Sequence, residues 1–355
     1  MGGIIATSRV PGLKKPAKIL VNGWGQIGRI FTRVSKGNTG LNIVGINDLA
    51  SVSQLGPLFI HDSIYGGYKG KAKVRESAMI IDGKEIPFFS EKDPANIPYK
   101  DLGVDYVIDC TGAFLEPSKA QQHLDAGARK VILSAPAKGT SENLQTIVIG
   151  VNDHEIDPGK TIFSNASCTT NCLSPLVRVL NDAFGVEKGL MTTVHAYTND
   201  QNIQDGPHKD PRRARAATLN MIPTTTGAAK ALKLVTSIEK SDGISIRVPI
   251  PTVSMVDWVG LLKEEVTKDE VNNVFRAATS NESLKGILAF SEGGLVSSDV
   301  IGNSHSSIID GPFTMLASEK DKMLKVLSWY DNIFAFSVRL GELVILIAAE
   351  EQGLS

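Results

Sequence analysis

Along the first half of the chain, short apolar runs alternate with segments whose apolar residues fall at helical spacing. Lys18-Ile-Leu-Val-Asn22 reads as a short buried strand, Gly23-Trp-Gly25-Gln-Ile-Gly28 as a turn, and residues 29–35 as a helix. Residues 41–46 form a second apolar run that ends at Asn47-Asp48. A third, residues 106–110, ends in Thr111-Gly112; residues 119–128 then look helical and residues 130–134 look like the next strand. Thr146-Ile-Val-Ile-Gly150 extends the same sheet. This alternation predicts an α/β domain of Rossmann type with a parallel sheet. Around residue 168 the texture changes. Longer, more polar strands over 190–197 and 245–259, with helices between them, predict an α+β domain with a mainly antiparallel sheet and helices on one side. No internal repeat or low-complexity tract is visible.

Composition narrows the picture without changing it. A chain of 355 residues suits two domains. The expected division is a tail over 1–16, a dinucleotide-binding domain over 17–167 with 332–355 returning to it, and a catalytic domain over 168–331. Apolar residues make up 42% and charged residues 21%, and 37 basic residues nearly cancel 38 acidic ones for a net charge of -1. That balance supplies no global field drawing the chain onto nucleic acid or an anionic membrane. The tail lacks the apolar run of a signal peptide, and Ala6 stands where a myristoylation motif has Ser or Thr. Residues 343–349 are too short an apolar stretch to cross a bilayer. Three cysteines, Cys110, Cys168 and Cys172, make a poor disulfide framework and match no common zinc spacing, so no metal is expected and the reading is cytoplasmic.

Two segments carry candidate chemistry. Gly23, Gly25 and Gly28 sit between a strand and a helix, where glycine lets the main chain approach a pyrophosphate and the helix N-terminus favours its charge. Asp48 follows about 20 residues after Gly28, at the end of the next strand, placed to bond a ribose diol. An acid there repels a 2′-phosphate, which favours NAD over NADP. The competing reading is a tight turn with a solvated aspartate. In the second segment, Ser164-Asn-Ala-Ser-Cys-Thr-Thr-Asn-Cys172 precedes a helix over 173–184 that Gly185 closes. Cys168 near a helix N-terminus gains thiolate character, with the hydroxyls of Ser167, Thr169 and Thr170 around it. Cys172, one turn on, reads as a packed thiol, poorly aimed for a disulfide with Cys168. His195, in Met191-Thr-Thr-Val-His195-Ala-Tyr-Thr198, could be a hydrogen-bonded core histidine; beside a helix-capping cysteine it reads better as its base.

These blocks resemble the glyceraldehyde-3-phosphate dehydrogenase family, in its phosphorylating, NAD-dependent form. Asn22 to Arg29, Ser164 to Cys172, His195 to Gln201, Arg212 to Ala217, Asn220 to Lys230, Arg247-Val-Pro249 and Trp329-Tyr-Asp-Asn332 carry the resemblance in order across about residues 17–350. It implies that glyceraldehyde 3-phosphate is converted to 1,3-bisphosphoglycerate with reduction of NAD, a step of glycolysis and gluconeogenesis. Cys168 would form a thiohemiacetal and then a thioester, His195 would take the proton, and inorganic phosphate would release the acyl group. It further implies that Thr198 and Arg247 hold the substrate phosphate, and that Ser167, Thr169, Thr226 and Gly227 hold the attacking one. Read from the residues, Thr224-Thr-Thr-Gly227 is also a helix cap ahead of 228–238, and the basic run 209–215 a solvated face. Gln26, Ile27, Lys92, Ser134 and Asn332 join Gly23, Gly25, Gly28, Asp48, Thr111 and Gly112 as cofactor positions. A homotetramer is implied too, with the 209–215 loop between subunits, and a last helix over about 332–351 packing onto the first domain.

The chain departs from the family pattern at several places. Trp24 and Gln26 stand where Phe and Arg are usual; Ile333 and Phe336 lie in an altered run after Asn332, with Phe336 replacing a Tyr; Gly206 replaces a common Leu. These bear on cofactor affinity and on NAD preference. Rival readings are a related sugar-phosphate dehydrogenase such as an erythrose-4-phosphate enzyme, a non-catalytic nucleotide-binding scaffold, a hydrolysing aldehyde dehydrogenase, and a minor nucleic-acid role for the basic run, with no dedicated nucleic-acid site apparent.

Overall fold

In a computed structural model the described residues run from Pro11 to Leu354. The first ten residues, with Ala6 and most of the expected tail, lie outside the described residues, as does Ser355. Two compact units are present: the described residues up to 149, with 153–167 and those from 337 on, form one, and residues 150–152 and 168–336 the other.

The first unit is built on a nine-stranded sheet. Its order across the sheet is Leu144–Thr146, Ile162–Ser164, Lys130–Leu133, Tyr106–Asp109, Ala17–Asn22, Leu41–Asn47, Lys84–Phe89, Ala78–Ile81 and Ala72–Val74. The pairings from Leu144–Thr146 through Lys84–Phe89 are parallel, and the last two are antiparallel. Parallel strands covered on both faces need near-continuous apolar runs, and Tyr106–Asp109 and Lys130–Leu133 are buried at every position. The helix Gln26–Val34 follows the first strand and buries Ile30, Phe31 and Val34. Trp24 turns inward from the glycine turn. It is fully buried, stacks on Phe59 at 5.2 Å, and donates from Nε1 to Thr32 Oγ1 at 3.0 Å.

One expected strand is displaced. Thr146 to Gly150 does not extend the sheet; the strand is Leu144–Thr146, and it pairs with Ile162–Ser164, an element the periodicity did not mark. Ile147, Val148 and Ile149 are fully buried outside any strand. A short apolar run marks burial, not its geometry.

The second unit carries a mainly antiparallel sheet in the order Ile222–Thr225, Ser241–Val248, Val186–Ala196, Ser254–Val266, Asp321–Tyr330, Ser307–Asp310 and Leu288–Ser291. Two of its pairings are parallel, Val186–Ala196 with Ser241–Val248 and Leu288–Ser291 with Ser307–Asp310. The single long strand expected over 245–259 is two strands. Pro249 and Pro251 donate no ladder hydrogen bond and Val253 takes φ 68°, so the chain turns there and returns on the opposite side of Val186–Ala196. The helix Cys168–Phe184 packs on one face of this sheet. It ends where Gly185, at φ 67°, takes the left-handed conformation that favours glycine and donates its N–H to Asn181 O at 3.0 Å. The helix expected over 228–238 is shorter: Ala228–Ala231 is α-helical and Leu232–Leu234 tightens to 3-10. The last helix, Phe334–Glu351, is buried along most of its length.

Candidate active site

In the first unit, a cleft of about 580 Å³ opens where strand order reverses, at the carboxyl ends of the strands Ala17–Asn22, Leu41–Asn47 and Tyr106–Asp109. Asn22, Gly23, Gly25, Asp48, Lys92 and Thr111 are among its lining residues. Gly23 has φ 86°, and a Cβ there would sit 2.8 Å from the Thr111 main chain. A Cβ on Gly28 would lie 2.2 Å from the Gly23 carbonyl oxygen, so helix and turn close onto each other only through glycine. Asp48 accepts from the main-chain N–H of Trp24 at 2.7 Å and of Ala50 at 3.0 Å, which fixes its carboxylate at the cleft. Beneath the cleft runs a buried polar floor. Asn47 donates to Asn22 Oδ1 at 2.7 Å, Asn22 donates to Asp109 at 2.7 Å, and Thr111 donates to Asp109 at 2.9 Å. Glycine turn, fixed acid and rigid floor fit a dinucleotide such as NAD.

Other expected cofactor positions fall around this cleft without all lining it. Gln26 and Ile27 are the first residues of their helix, Gly112 follows Thr111 at φ 71°, and Ser134, just past the strand Lys130–Leu133, bonds the Cys110 thiol. Sequence reasoning missed Leu49, Glu91, Phe114, Lys119 and Gln122, which also line the cleft. Leu49 is 70% exposed, an apolar surface directly after Asp48. Its position behind a strand-ending acid is the only sequence signal that could have found it.

In the second unit Cys168 is the first residue of its helix, and His195 lies near the end of the strand Val186–Ala196. Cys168 Sγ stands 3.5 Å from His195 Nε2. The main-chain N–H groups of Cys168 and Thr169 and the Thr169 hydroxyl face the sulfur. Burial pushes the Cys168 thiol up; the Arg247 guanidinium and those hydrogen bonds oppose the rise. His195 is 4% exposed, and burial, joined by Arg247, lowers its imidazole to about 3. The ring is therefore neutral near pH 7. Its Nδ1 lies 2.7 Å from Ala196 O and 3.0 Å from Arg247 Nη1.

Strand register brings Arg247 there: it is the Cα partner of His195 on one side and of Ile222 on the other. Thr198 lies two residues beyond the end of the His195 strand, its N–H donating to Gln201. Thr169 is engaged, bonding Tyr330 Oη at 2.8 Å, and Tyr330 also bonds Thr193 at 2.9 Å. Tyr330, fully buried with its ring 6.1 Å from that of His195, was quoted in a motif but assigned nothing from sequence. Thr226 accepts the Ala228 N–H at 3.2 Å, but Thr224 and Thr225 end a strand and Gly227, at the cap position, offers no side chain, so the helix-cap reading of Thr224 to Gly227 is met only by that one turn contact. Asn332 is buried and accepts from Ser254 Oγ at 3.2 Å. Cys172 is buried with Ser328 Oγ 3.4 Å away, a packed thiol as expected, and all three cysteines are free. Two of the four basic residues of the run 209–215 are paired within its own loop, Arg213 with Asp200 and Asp210 and Arg215 with Asp205. Among the described residues no group of His, Cys, Asp and Glu could hold a metal ion, and no helix is long and apolar enough to cross a membrane.

Comparison with known proteins places two family models on the chain. Residues 17–117 match the NAD binding domain of glyceraldehyde 3-phosphate dehydrogenase, and residues 167–332 match its C-terminal domain. A glyceraldehyde-3-phosphate dehydrogenase of Borreliella burgdorferi is 50% identical over 334 residues, covering 92% of this chain and 98% of that protein. Those of Streptomyces coelicolor and Geobacillus stearothermophilus are each 48% identical, covering 93% and 94% of this chain and 98% of their own lengths.

Proposed function

We infer, because this chain belongs to the glyceraldehyde-3-phosphate dehydrogenase family, that it is an NAD-dependent oxidoreductase that oxidises and phosphorylates glyceraldehyde 3-phosphate. The observation that carries the reading is the 3.5 Å approach of a thiol in the first turn of a helix to a buried neutral imidazole, with a guanidinium beside both.

On this reading the Cys168 sulfur attacks the aldehyde carbon, and the thiol proton passes to the new oxygen by way of His195, leaving a thiohemiacetal. His195 Nε2 then takes the hydroxyl proton, which lets the carbonyl re-form as a thioester on Cys168. NAD, when bound at Gly23, Gly25, Gly28 and Asp48, supplies the acceptor for the hydride that leaves carbon. Gln26, Ile27, Lys92, Thr111, Gly112, Ser134 and Asn332 complete the proposed cofactor set. Inorganic phosphate attacks the thioester, releasing 1,3-bisphosphoglycerate and the thiol. Thr198 and Arg247 hold the substrate phosphate; Ser167, Thr169, Thr226 and Gly227 hold the attacking one. A guanidinium supports a phosphate through charge-assisted hydrogen bonds, while hydroxyls and main-chain N–H groups give direction.

The assembly belongs to the same proposal, as a homotetramer. In support, the sheet face opposite the Cys168 helix exposes Leu190, Ile244, Val259 and Met323 on neighbouring strands, an apolar surface of the kind that oligomers cover. Free thiols support a reducing, cytoplasmic setting.

Following NADH absorbance with purified protein, glyceraldehyde 3-phosphate and NAD, with and without inorganic phosphate, tests the activity. Turnover that needs phosphate and disappears in Cys168→Ser is expected. Equal rates without phosphate would indicate a hydrolysing dehydrogenase, and NAD binding without turnover a scaffold.

A further inference from the structure

The strands Ala17–Asn22, Leu41–Asn47 and Lys84–Phe89 lie side by side and parallel, so their carboxyl ends form one row. The glycine turn leaves the first strand, Asp48 follows the second, and Glu91 and Lys92 follow the third; all of them line the same cleft. Hydrogen bonds tie the second end to the third. The Asp48 N–H donates to Phe89 O at 3.1 Å. The Asn47 side chain closes a ring with the Glu91 main chain: Nδ2 donates to Glu91 O at 2.9 Å, and Oδ1 accepts from Glu91 N at 2.9 Å. The Glu91 carboxylate is held as well, accepting on Oε2 from Asn96 Nδ2 at 3.2 Å. An acid anchored through both main chain and side chain is aimed before any ligand arrives.

With a pyrophosphate over the glycine turn and the adenosine ribose on Asp48, the row dictates what lies next. Asp48 already accepts a main-chain N–H on each oxygen, from Trp24 on Oδ2 and from Ala50 on Oδ1. Its remaining lone pairs are the ones left for the ribose diol. A group added to the 2′-oxygen extends from Asp48 away from the turn, toward the end of the third strand, where Glu91 and Lys92 bring one charge of each sign. We propose that Glu91 is a second determinant of coenzyme choice, which repels a 2′-phosphate and offsets the attraction of Lys92, so that the cleft takes NAD and turns NADP away. The proposal rests on the proposed seat of NAD at Asp48. Asp48 alone is a weaker barrier, because the Lys92 ammonium beside it can give a phosphate charge-assisted hydrogen bonds. Glu91 acts on which coenzyme enters, and on no step of the hydride transfer.

Calorimetric titration of the full chain with NAD and with NADP tests this without any turnover. Glu91→Gln removes the charge, keeps an oxygen for Asn96 and leaves the main-chain ring with Asn47 in place. The ratio of NADP affinity to NAD affinity should rise about tenfold in this variant at low ionic strength. Raising the salt concentration should shrink that gain, because the charges at the cleft mouth are then screened. Adding Lys92→Ala to Glu91→Gln should remove most of the gain, since the ammonium is what the phosphate then binds. A packing role for Glu91 moves both coenzymes together; a ratio that does not change in Glu91→Gln would therefore overturn the proposal. A gain that ignores both salt and Lys92 would overturn it as well. Failure of the unsubstituted chain to bind NAD would remove the proposed cofactor seat along with this role of Glu91. NAD binding with the same preference in Glu91→Gln would remove the role of Glu91 alone.

Discussion

At the scale of single residues, three side chains carry distinct and separable work. Tyr330 bridges Thr169 and Thr193 from a fully buried position, and burial pushes its phenol well above the ordinary value, so it remains protonated. Tyr330→Phe strips both threonine hydroxyls of that partner and should cost about 1–3 kcal/mol in chemical denaturation. It should also raise the KM for inorganic phosphate more than that for the aldehyde, if Thr169 serves the attacking phosphate. Arg247 opposes the burial that raises the Cys168 thiol. Removing the cation disfavours thiolate, so in Arg247→Gln the pH profile of Cys168 alkylation by iodoacetamide should move to higher pH; a move to lower pH would contradict this electrostatic role. His195 is lowered from 6.5 to about 3 in the folded protein. As pH falls between those values the unfolded chain takes up the proton and the folded one does not, so stability is lost with acid over that window. His195→Asn should flatten this part of a stability-against-pH curve measured by urea unfolding. All three residues stand inside motifs visible in the sequence; the histidine was read as a base and the arginine as a phosphate group's partner, but the tyrosine was given no role. A buried tyrosine looks like core until its hydroxyl partners are known.

At the scale of elements, the strand–turn–helix over residues 17–34 was legible because its requirements are local. A strand needs an apolar run, a helix needs its spacing, and the join needs glycine where a Cβ would strike the Gly23 carbonyl at 2.2 Å. Gly28→Ala should therefore weaken NAD binding about tenfold or more by fluorescence titration and lower the melting temperature, without altering Cys168 alkylation. Equal affinity would mean that the turn can relax and that its glycine is dispensable. The helix Cys168–Phe184 was legible at its end, from Gly185, while its start lies at Cys168 and not at the expected 173, because the polar residues 168–172 form its first turn. The elements misread were those decided by partners far along the chain. Ile147 to Ile149 are as apolar as any strand here, but Ile162–Ser164 takes the sheet position that pairs with Lys130–Leu133. Likewise 245–259 reads as one strand until Pro249, Pro251 and the positive φ of Val253 divide it between two sides of Val186–Ala196.

At the scale of the whole molecule, the open face of the second sheet is the feature that a single chain leaves unfinished. Leu190 is 67% and Ile244 49% exposed, on strands that pair in register. Placing Leu190→Asp and Ile244→Asp together should split the proposed tetramer into smaller species in sedimentation velocity, with circular dichroism unchanged. A wild-type chain that sediments as a monomer would instead leave that face without a partner.

The sequence by itself determined the α/β and α+β classes, the glycine turn with its acid, the cysteine at a helix start and the histidine that answers it. Each depends on residue type, spacing along one element or chain order. Only the tertiary structure decided that Arg247 stands against His195, that Tyr330 ties Thr169 to Thr193, and that Leu49, Glu91 and Phe114 share a cleft with Asp48. Those are consequences of strand register and sheet order, which shift a side chain from one face or neighbour to another without changing the local pattern of apolar and polar residues.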